Sequence, residues 1–546
     1  MKADASQTRD YTYYVYILDP NCNIDIKGEA TVVLNSTGYV INSELSIVYG
    51  DIYSVWSTTP LTLTAQELIE MDTVQTSEIS DDHIAAQFES DNTIGAYYGY
   101  YVLLNKEKSN VTTAKVYSFE VKTAEITTTE QFHSLATTGK IDGVESTTTT
   151  IFNLMNDLDF ADYEWTVVGK NDVKSFSSLF NGNDHKISNL TVVGESADKN
   201  VNVFYKVSDG TVMNVNFDNV IIWNKNTSKG QVGIIGELQG GYVYDVHMTR
   251  IAARGREGVS ALVGIVSGRD NYIDCCSLVN PIVYTDELKA RAQEDGISNL
   301  YAVQKAEDFS NVLSGYEDYE LYYSITAYNK YAGGIVGNIQ KNNDQDSVSC
   351  IVTNCYVNAI IGDGKDAGGC MGGIIGRVKN DSMYYNVTAK NCYYEGLVLA
   401  KGNYNGGIIG SIESAMGNIT ATNNVSLVVF MLDGEMLNAY EYAASYSEVK
   451  VAHKNCSPII GRATSSTEYG SYNTGKNYGT WQENYSKVVS SVSVLFDLSG
   501  ENDEGDFVMF EFQEINFKST LEFDLDNIWT YDEANHTITL KNILHA

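Results

Sequence analysis

Proline is scarce, with four residues in 546, so no Pro-rich stalk holds separate modules apart. Positive charge is short as well: 36 Lys and Arg stand against 70 Asp and Glu, a formal net charge of −34. Binding to phosphate backbones needs clustered Lys and Arg. No such cluster occurs, which excludes nucleic acid and argues against attachment to anionic lipid. The acidic excess implies solubility and repulsion between neighbouring molecules, with Ca²⁺ binding by carboxylates as the weaker reading. No run of about 18 apolar residues offers a membrane-spanning helix, so membrane insertion is not expected. The opening residues, MKADASQTRD, lack the apolar segment of a signal peptide. None of the eight cysteines forms a CxxC pair, which leaves no zinc-site pattern. HExxH, GxSxG and GxxxxGK[ST] are all missing. No catalytic, cofactor-binding or metal-ligating set can therefore be nominated from motifs.

Glycine (45 residues) and tyrosine (39) are abundant instead, and with Val, Ile and Thr they favour strands. One phrase recurs, a glycine, branched aliphatics, a second glycine and then polar residues. It reads VGIIG at 232–236, LVGIV at 262–266, AGGIVG at 332–337, MGGIIG at 371–376, NGGIIG at 405–410 and SPIIG at 457–461. Its glycines are Gly233, Gly236, Gly264, Gly334, Gly337, Gly373, Gly376, Gly407, Gly410 and Gly461. Between them run segments such as CIVTNCYVNAIIG and NVTAKNCYYEGLVL, which alternate at strand period. Constant cores with variable spacing indicate stacked units whose insertions project as loops. Glycine would serve tight corners with positive φ and close backbone approach. The expected architecture is all-β: an N-terminal β-sandwich, then a right-handed parallel β-helix with a capping C-terminal region.

Three regions follow in order. Residues 1–124 carry short alternating runs separated by turn clusters, the pattern of an immunoglobulin- or fibronectin-like sandwich, with Trp56 as a core residue. Residues 125–465 open on a short amphipathic helix, ITTTEQFHSLA, with Phe132, Leu135 and Ala136 inward. They then carry the glycine phrases, interrupted by an insertion at 285–331. Residues 466–546 are read as terminal coils and a cap, since the last coil of a solenoid must be protected from edge pairing.

Two phrases after the helix carry a resemblance. Asn153, Leu154, Asp157, Leu158, Asp159 and Phe160 are followed by Trp165 and Gly169, then by Phe176, Phe180, Gly182, Ile187 and Leu190. That order resembles the opening of bacterial surface proteins with GLUG-type repeats, and the G-G-I-I-G phrases resemble the GLUG motif itself. Ser178 stands where a glycine is common. The resemblance spans roughly residues 126–465. It implies a β-helix found in adhesins, surface proteins and accessory regions of larger enzymes.

Individual residues add alternatives. Cys355 and Cys392 sit in matching phrases, TNCYV and KNCYY, and are read as small plugs at one rung position, with inter-rung disulfides as the alternative. Adjacent Cys275 and Cys276 should point to opposite faces of a strand. Asp157, Asp159 and Asp162 are the carboxylates a polysaccharide-cleaving β-helix would use, although the first two fit turn hydrogen bonds better. Arg377 is expected as an exposed rung residue. The acidic loop Asn502–Asp506 could ligate Ca²⁺ or simply be solvated. A tyrosine-dense stretch, Tyr316, Tyr319, Tyr322, Tyr323, Tyr328 and Tyr331, offers a contact surface for glycan or protein or covers the flank of the coil. The first expectation is thus a non-enzymatic extracellular or cell-surface protein for adhesion or structural projection. A subunit of a filament or viral fibre, binding copies of itself or other subunits, is an alternative, and a polysaccharide-degrading enzyme is another.

Overall fold

The computed structural model describes residues 111–280 and 324–432 apart from short gaps, backbone segments between 26 and 104, and stretches between 435 and 541. Cys22, the side chain of Trp56, the acidic loop 502–506 and Tyr316, Tyr319, Tyr322, Tyr323 and Tyr328 lie outside the described residues. The chain divides into two compact units, with the break between Val121 and Lys122. The first unit holds two four-stranded sheets. One orders Ile26–Asn35, Gly38–Leu45, His83–Glu89 and Glu78–Ser80. The other contains Asp51–Ser57, Gln75–Thr76, Gly95–Leu104 and the first part of Val111–Ile126, all paired antiparallel.

The second unit is a parallel β-helix. The later coils lay down four strands, one on each of three faces and a short one between the second and third (Tyr331–Gly333, Cys370–Gly372, Tyr404–Gly406). Each pairs in parallel with its counterpart in the next coil. The first face includes Asn271–Asp274, Ser347–Thr353, Tyr384–Lys390 and Met416–Thr422. The second face includes Ser277–Val279, Tyr356–Asp363, Tyr393–Ala400 and Val425–Leu432. The third runs through seven strands from Phe204–Ser208 to Ile460–Ala463. Two early strands, Thr211–Asn224 and Tyr242–Gly255, are long enough to turn from the first face to the second without a break. Equivalent side chains stack in columns about 4.8 Å apart. Ile235, Val263, Val336, Ile375, Ile409 and Ile460 form one such column, each fully or almost fully buried.

The helix expected near the start of this unit is Thr129–Thr138. Thr128 caps it, with Gln131 completing a reciprocal capping box, and Gly139 ends it at φ 71°. Its buried residues are Phe132, Leu135, Ala136 and Thr137. Phe132 lies 5.6–6.2 Å from the rings of Phe160, Trp165, Phe180 and Phe204. The helix therefore plugs the apolar bore at the first coils, which a solenoid requires at an open end.

Three expectations change in the structure. The return from the insertion comes earlier than residue 331, because Ser324–Ala327 already pairs with both Tyr242–Gly255 and Tyr356–Asp363. None of the repeat glycines adopts positive φ. Their role is close approach: a Cβ on Gly376 would meet the Gly337 carbonyl at 2.4 Å, and one on Gly410 the Gly376 carbonyl at 2.4 Å. Arg377 is 4 % exposed, not a surface rung residue.

At the far end, Gly470–Thr474 and Tyr478–Trp481 add a further parallel coil. Val494–Asp497 and Val508–Phe510 then pair antiparallel, which ends the parallel register. A terminal hairpin, Trp529–Asp532 with Thr537–Leu540, packs elsewhere. Phe523, Trp529 and Leu540 cover Tyr356, Tyr393 and Val425 on the outer side of the second face. Glu395 lies beside this patch and accepts hydrogen bonds from the hydroxyls of Tyr393 (3.1 Å) and Tyr356 (3.5 Å).

Burial lifts the Glu395 carboxyl above its ordinary range, against the pull of the two hydroxyls. An unfolded chain ionises this group first as pH rises, so stability should fall between the ordinary Glu pKa and the raised one. Glu395→Gln should flatten that part of the stability–pH curve and be relatively more stable at pH 7. Urea midpoints from pH 4 to 8 check this, and parallel curves for the two proteins would contradict it.

Candidate functional site

The corner between the first and second faces is made by one residue per coil in the left-handed region. These are Asn214, Asp245, Cys275, Asn354, Asn391 and Asn423, with φ of 49–56°. They are equivalent by register. Asn and Asp tolerate this conformation because their short polar side chains bond locally. Here those bonds run between coils: Asn354 Nδ2 donates to Asp274 Oδ1 at 2.9 Å, and Asn391 Nδ2 to Asn354 Oδ1 at 3.4 Å. The asparagine of TNC and KNC is thus the corner residue, and the following cysteine is the first to point inward.

Cys275 breaks the column. Instead of continuing a strand with Cys276, it sits at the corner with φ 53°, and its thiol contacts Asp274 Oδ1 at 3.4 Å. Burial, with the Asp274 carboxylate beside it, pushes this thiol far up, so it is protonated and not an activated nucleophile. A left-handed non-Asn residue costs about 1–2 kcal/mol. Cys275→Asn is therefore expected to stabilise the chain by about 1 kcal/mol, read as a higher urea midpoint. A lower midpoint would mean the thiol makes contacts worth more than the relieved strain.

Beside this corner lies a constellation that sequence reasoning missed. His247 Nδ1 is 2.8 Å from Ser277 Oγ, and His247 Nε2 is 2.9 Å from Asp245 Oδ1. With hydrogen on Nε2, the imidazole donates to the aspartate and accepts from the serine, the order of a nucleophile, base and orienting acid. Access decides its meaning. Ser277 is 1 % exposed and His247 7 %, so no substrate carbonyl reaches the hydroxyl. The three side chains tie consecutive coils together. Aligning YDVHM with DCCSL on the left-handed position would have revealed the pairing in the sequence.

The outward side of the same strands is different in character. Tyr242 and Tyr272 are rung neighbours with ring centroids 6.2 Å apart, and Tyr244 stands opposite Asp274. All three rings are half-buried. Burial raises the Tyr242 phenol to about 12, with the nearby Asp270 charge adding to it. It raises Tyr244 to about 12 as well, helped by the Asp245 and Asp274 charges. Both stay neutral hydroxyl donors at ordinary pH. Ile351, 43 % exposed, continues the row beyond Tyr272. The result is a flat apolar strip edged by Asp270 and Asp274.

No family model matches the sequence, and no curated protein matches it. Among solved structures, one titled "IgA1 Protease" aligns with a TM-score of 0.30 at 13 % identity, over 92 % of this chain and 31 % of that one. This chain thus spans less than a third of that structure's length. A second, "Structure of Yersinia enterocolitica Family 28 Exopolygalacturonase", aligns with a TM-score of 0.17 at 7 % identity, over 83 % of this chain and all of that one. Both scores are too low to carry an argument. The fold rests on the strand pairing itself.

Of the remaining nominated residues, Asp162 is exposed, whereas Asp157, Asp159 and Tyr331 are held in structural contacts. Asp157 accepts from Lys186 N–H at 2.9 Å and from His185 at 3.2 Å, which hold its carboxyl below the usual range. Asp159 is held down by Asn189 Nδ2 (2.8 Å) and the Ala161 N–H (3.0 Å). Tyr331 is no free contact residue. The Arg377 guanidinium lies 3.3 Å over its ring and also bonds its hydroxyl. Among the described residues, no group of three or more His, Cys, Asp and Glu could hold a metal ion.

Proposed function

We propose that this chain is a non-catalytic adhesion or display protein of the extracellular space or cell surface. It holds a glycan against the Tyr242–Tyr272 strip of its β-helix. The observation that carries this reading is the pair of outward, half-buried tyrosines on successive rungs with carboxylates at their edge. Aromatic faces pack against the C–H side of sugar rings, while hydroxyl and carboxylate groups take the sugar hydroxyls. A rigid sheet holds these groups in place without loop ordering, which lowers the entropic cost of binding. The resemblance to GLUG-repeat surface proteins favours the same class.

Two of the carboxylates nominated from the sequence, Asp157 and Asp159, are unsuited to acid catalysis. A glycosidase acid must keep a proton at working pH, whereas Asp157 and Asp159 are both held below their ordinary range. The test is glycan-array binding by the full chain and by Tyr242→Ala/Tyr272→Ala. Stacking is worth on the order of 1 kcal/mol per ring, so affinity for any bound glycan should fall about tenfold or more, with circular dichroism unchanged. A parent protein that binds no glycan, or a double variant that binds equally well, overturns the proposal.

A further inference from the structure

Three buried thiols form a column in the bore of the β-helix. Cys276, Cys355 and Cys392 each follow the corner residue on successive coils. The backbone ladder fixes their equivalence: Tyr356 N–H donates to Cys276 O at 3.0 Å, and Tyr393 N–H to Cys355 O at 2.8 Å. All three are 0 % exposed and carry free thiols. Each thiol donates to a backbone carbonyl, Cys276 to Asp274 O at 3.2 Å, Cys355 to Thr353 O at 3.1 Å and Cys392 to Lys390 O at 3.3 Å, and Cys355 stands between the other two in the column. Adjacent rungs of a parallel sheet lie about 4.8 Å apart, within the Cα separation a disulfide spans. Two rungs lie beyond it.

We infer that Cys355 is a two-way covalent partner, able to close one inter-coil disulfide with either Cys276 or Cys392 but never both. The site is odd-numbered, so one thiol of the trio is always left over. With a small disulfide as oxidant, one protein thiolate displaces a small thiol and forms a mixed disulfide. The second protein thiol then displaces the other small thiol. Two protein thiols are oxidised, one small disulfide is reduced to two thiols, and the protons pass to the leaving sulfurs. Burial holds Cys355 protonated in the folded coil, so the exchange takes place as the coils assemble and the fold selects the pairing. The Cys276–Cys355 bond closes the longer loop, because it spans the insertion, and restricts the unfolded chain more.

Cys350 is an internal control. It is equally buried, but its rung neighbours are Asn271 and Val387, and burial alone raises its thiol, to about 12. The experiment refolds the denatured full chain in a mixture of oxidised and reduced glutathione, then unfolds it in denaturant with excess iodoacetamide to trap free thiols, and maps peptides by mass spectrometry. Expected are molecules joined 276–355 and others joined 355–392, each with the third thiol alkylated and with Cys350 alkylated throughout. Cys276→Ala should give only the 355–392 bond, Cys392→Ala only 276–355, and Cys355→Ala neither. The inference is overturned if the folded, oxidised protein has all three alkylated. Frequent 276–392 bonds, or Cys350 entering bonds as often as Cys355, would overturn it too.

Discussion

Gly373→Ala is expected to abolish cooperative folding of the β-helix, although it adds a single methyl group. That carbon would lie 2.0 Å from the Gly407 carbonyl oxygen and 2.2 Å from a ring carbon of Tyr394. Neither neighbour can move aside. The Gly407 oxygen belongs to the backbone of the next coil, and the Tyr394 ring is fully buried with its hydroxyl bound to the Ala359 carbonyl at 3.1 Å. Overpacking a core usually costs about 1–3 kcal/mol because side chains shift. Here the backbone of two coils must separate, and a loss above about 4 kcal/mol follows. In a solenoid each coil is stabilised by its neighbours, so the break should also propagate. Chemical denaturation should show two transitions or no folded baseline. Gly143→Ala is the matched control: its φ is 86°, but nothing lies within 4 Å of the added carbon. It should cost about 1–2 kcal/mol, the left-handed penalty alone. Equal losses for the two variants would remove close approach as the reason for the repeat glycine.

The same contrast explains how far the sequence could be read. The G-G-I-I-G phrase reported stacked coils because every coil meets the same packing demand, so one pattern repeats in the text. It did not report which demand. Glycine serves both left-handed turns and close contacts, and only coordinates separate these: the corners went to Asn214, Asp245, Asn354, Asn391 and Asn423, and the glycines to coil-on-coil contact. The TNC and KNC phrases contain the corner residue, but nothing in them marks the asparagine rather than the cysteine as the special position. The helix at 129–138 was legible because its signals are local, a capping Thr–Gln pair and three inward apolar residues. Asp245, His247 and Ser277 were not, because their adjacency depends on register across a whole coil. In the sequence Tyr331 reads as a contact residue, because tyrosines crowd the insertion. What buries it is an arginine 46 positions later in the chain.

That arginine gives the second large effect. Arg377→Leu should destabilise the β-helix by about 3 kcal/mol, the usual loss when one member of a buried charged network is removed. The guanidinium Nε donates to Asn338 Oδ1 at 3.0 Å, and its terminal nitrogen serves Glu413 Oε2 at 3.1 Å and the Tyr331 hydroxyl. Asn338 is 2 % exposed, so leucine leaves its carbonyl oxygen without the Arg377 N–H. Glu413 keeps a third of its side chain in water. Its charge is therefore rescued in part by solvent, and the Arg377–Glu413 pair contributes less than a fully buried pair would. The larger share of the loss falls on the stripped amide and on the ring of Tyr331, which loses its cation–π partner. This ordering is itself testable. Glu413→Gln should cost less than Asn338→Leu in the parent, and once Arg377 is leucine, Asn338→Leu should cost much less than it does alone. A double-mutant cycle showing no coupling between positions 377 and 338, with strong coupling between 377 and 413, would reverse the assignment. The network would then be an ion pair with incidental amides.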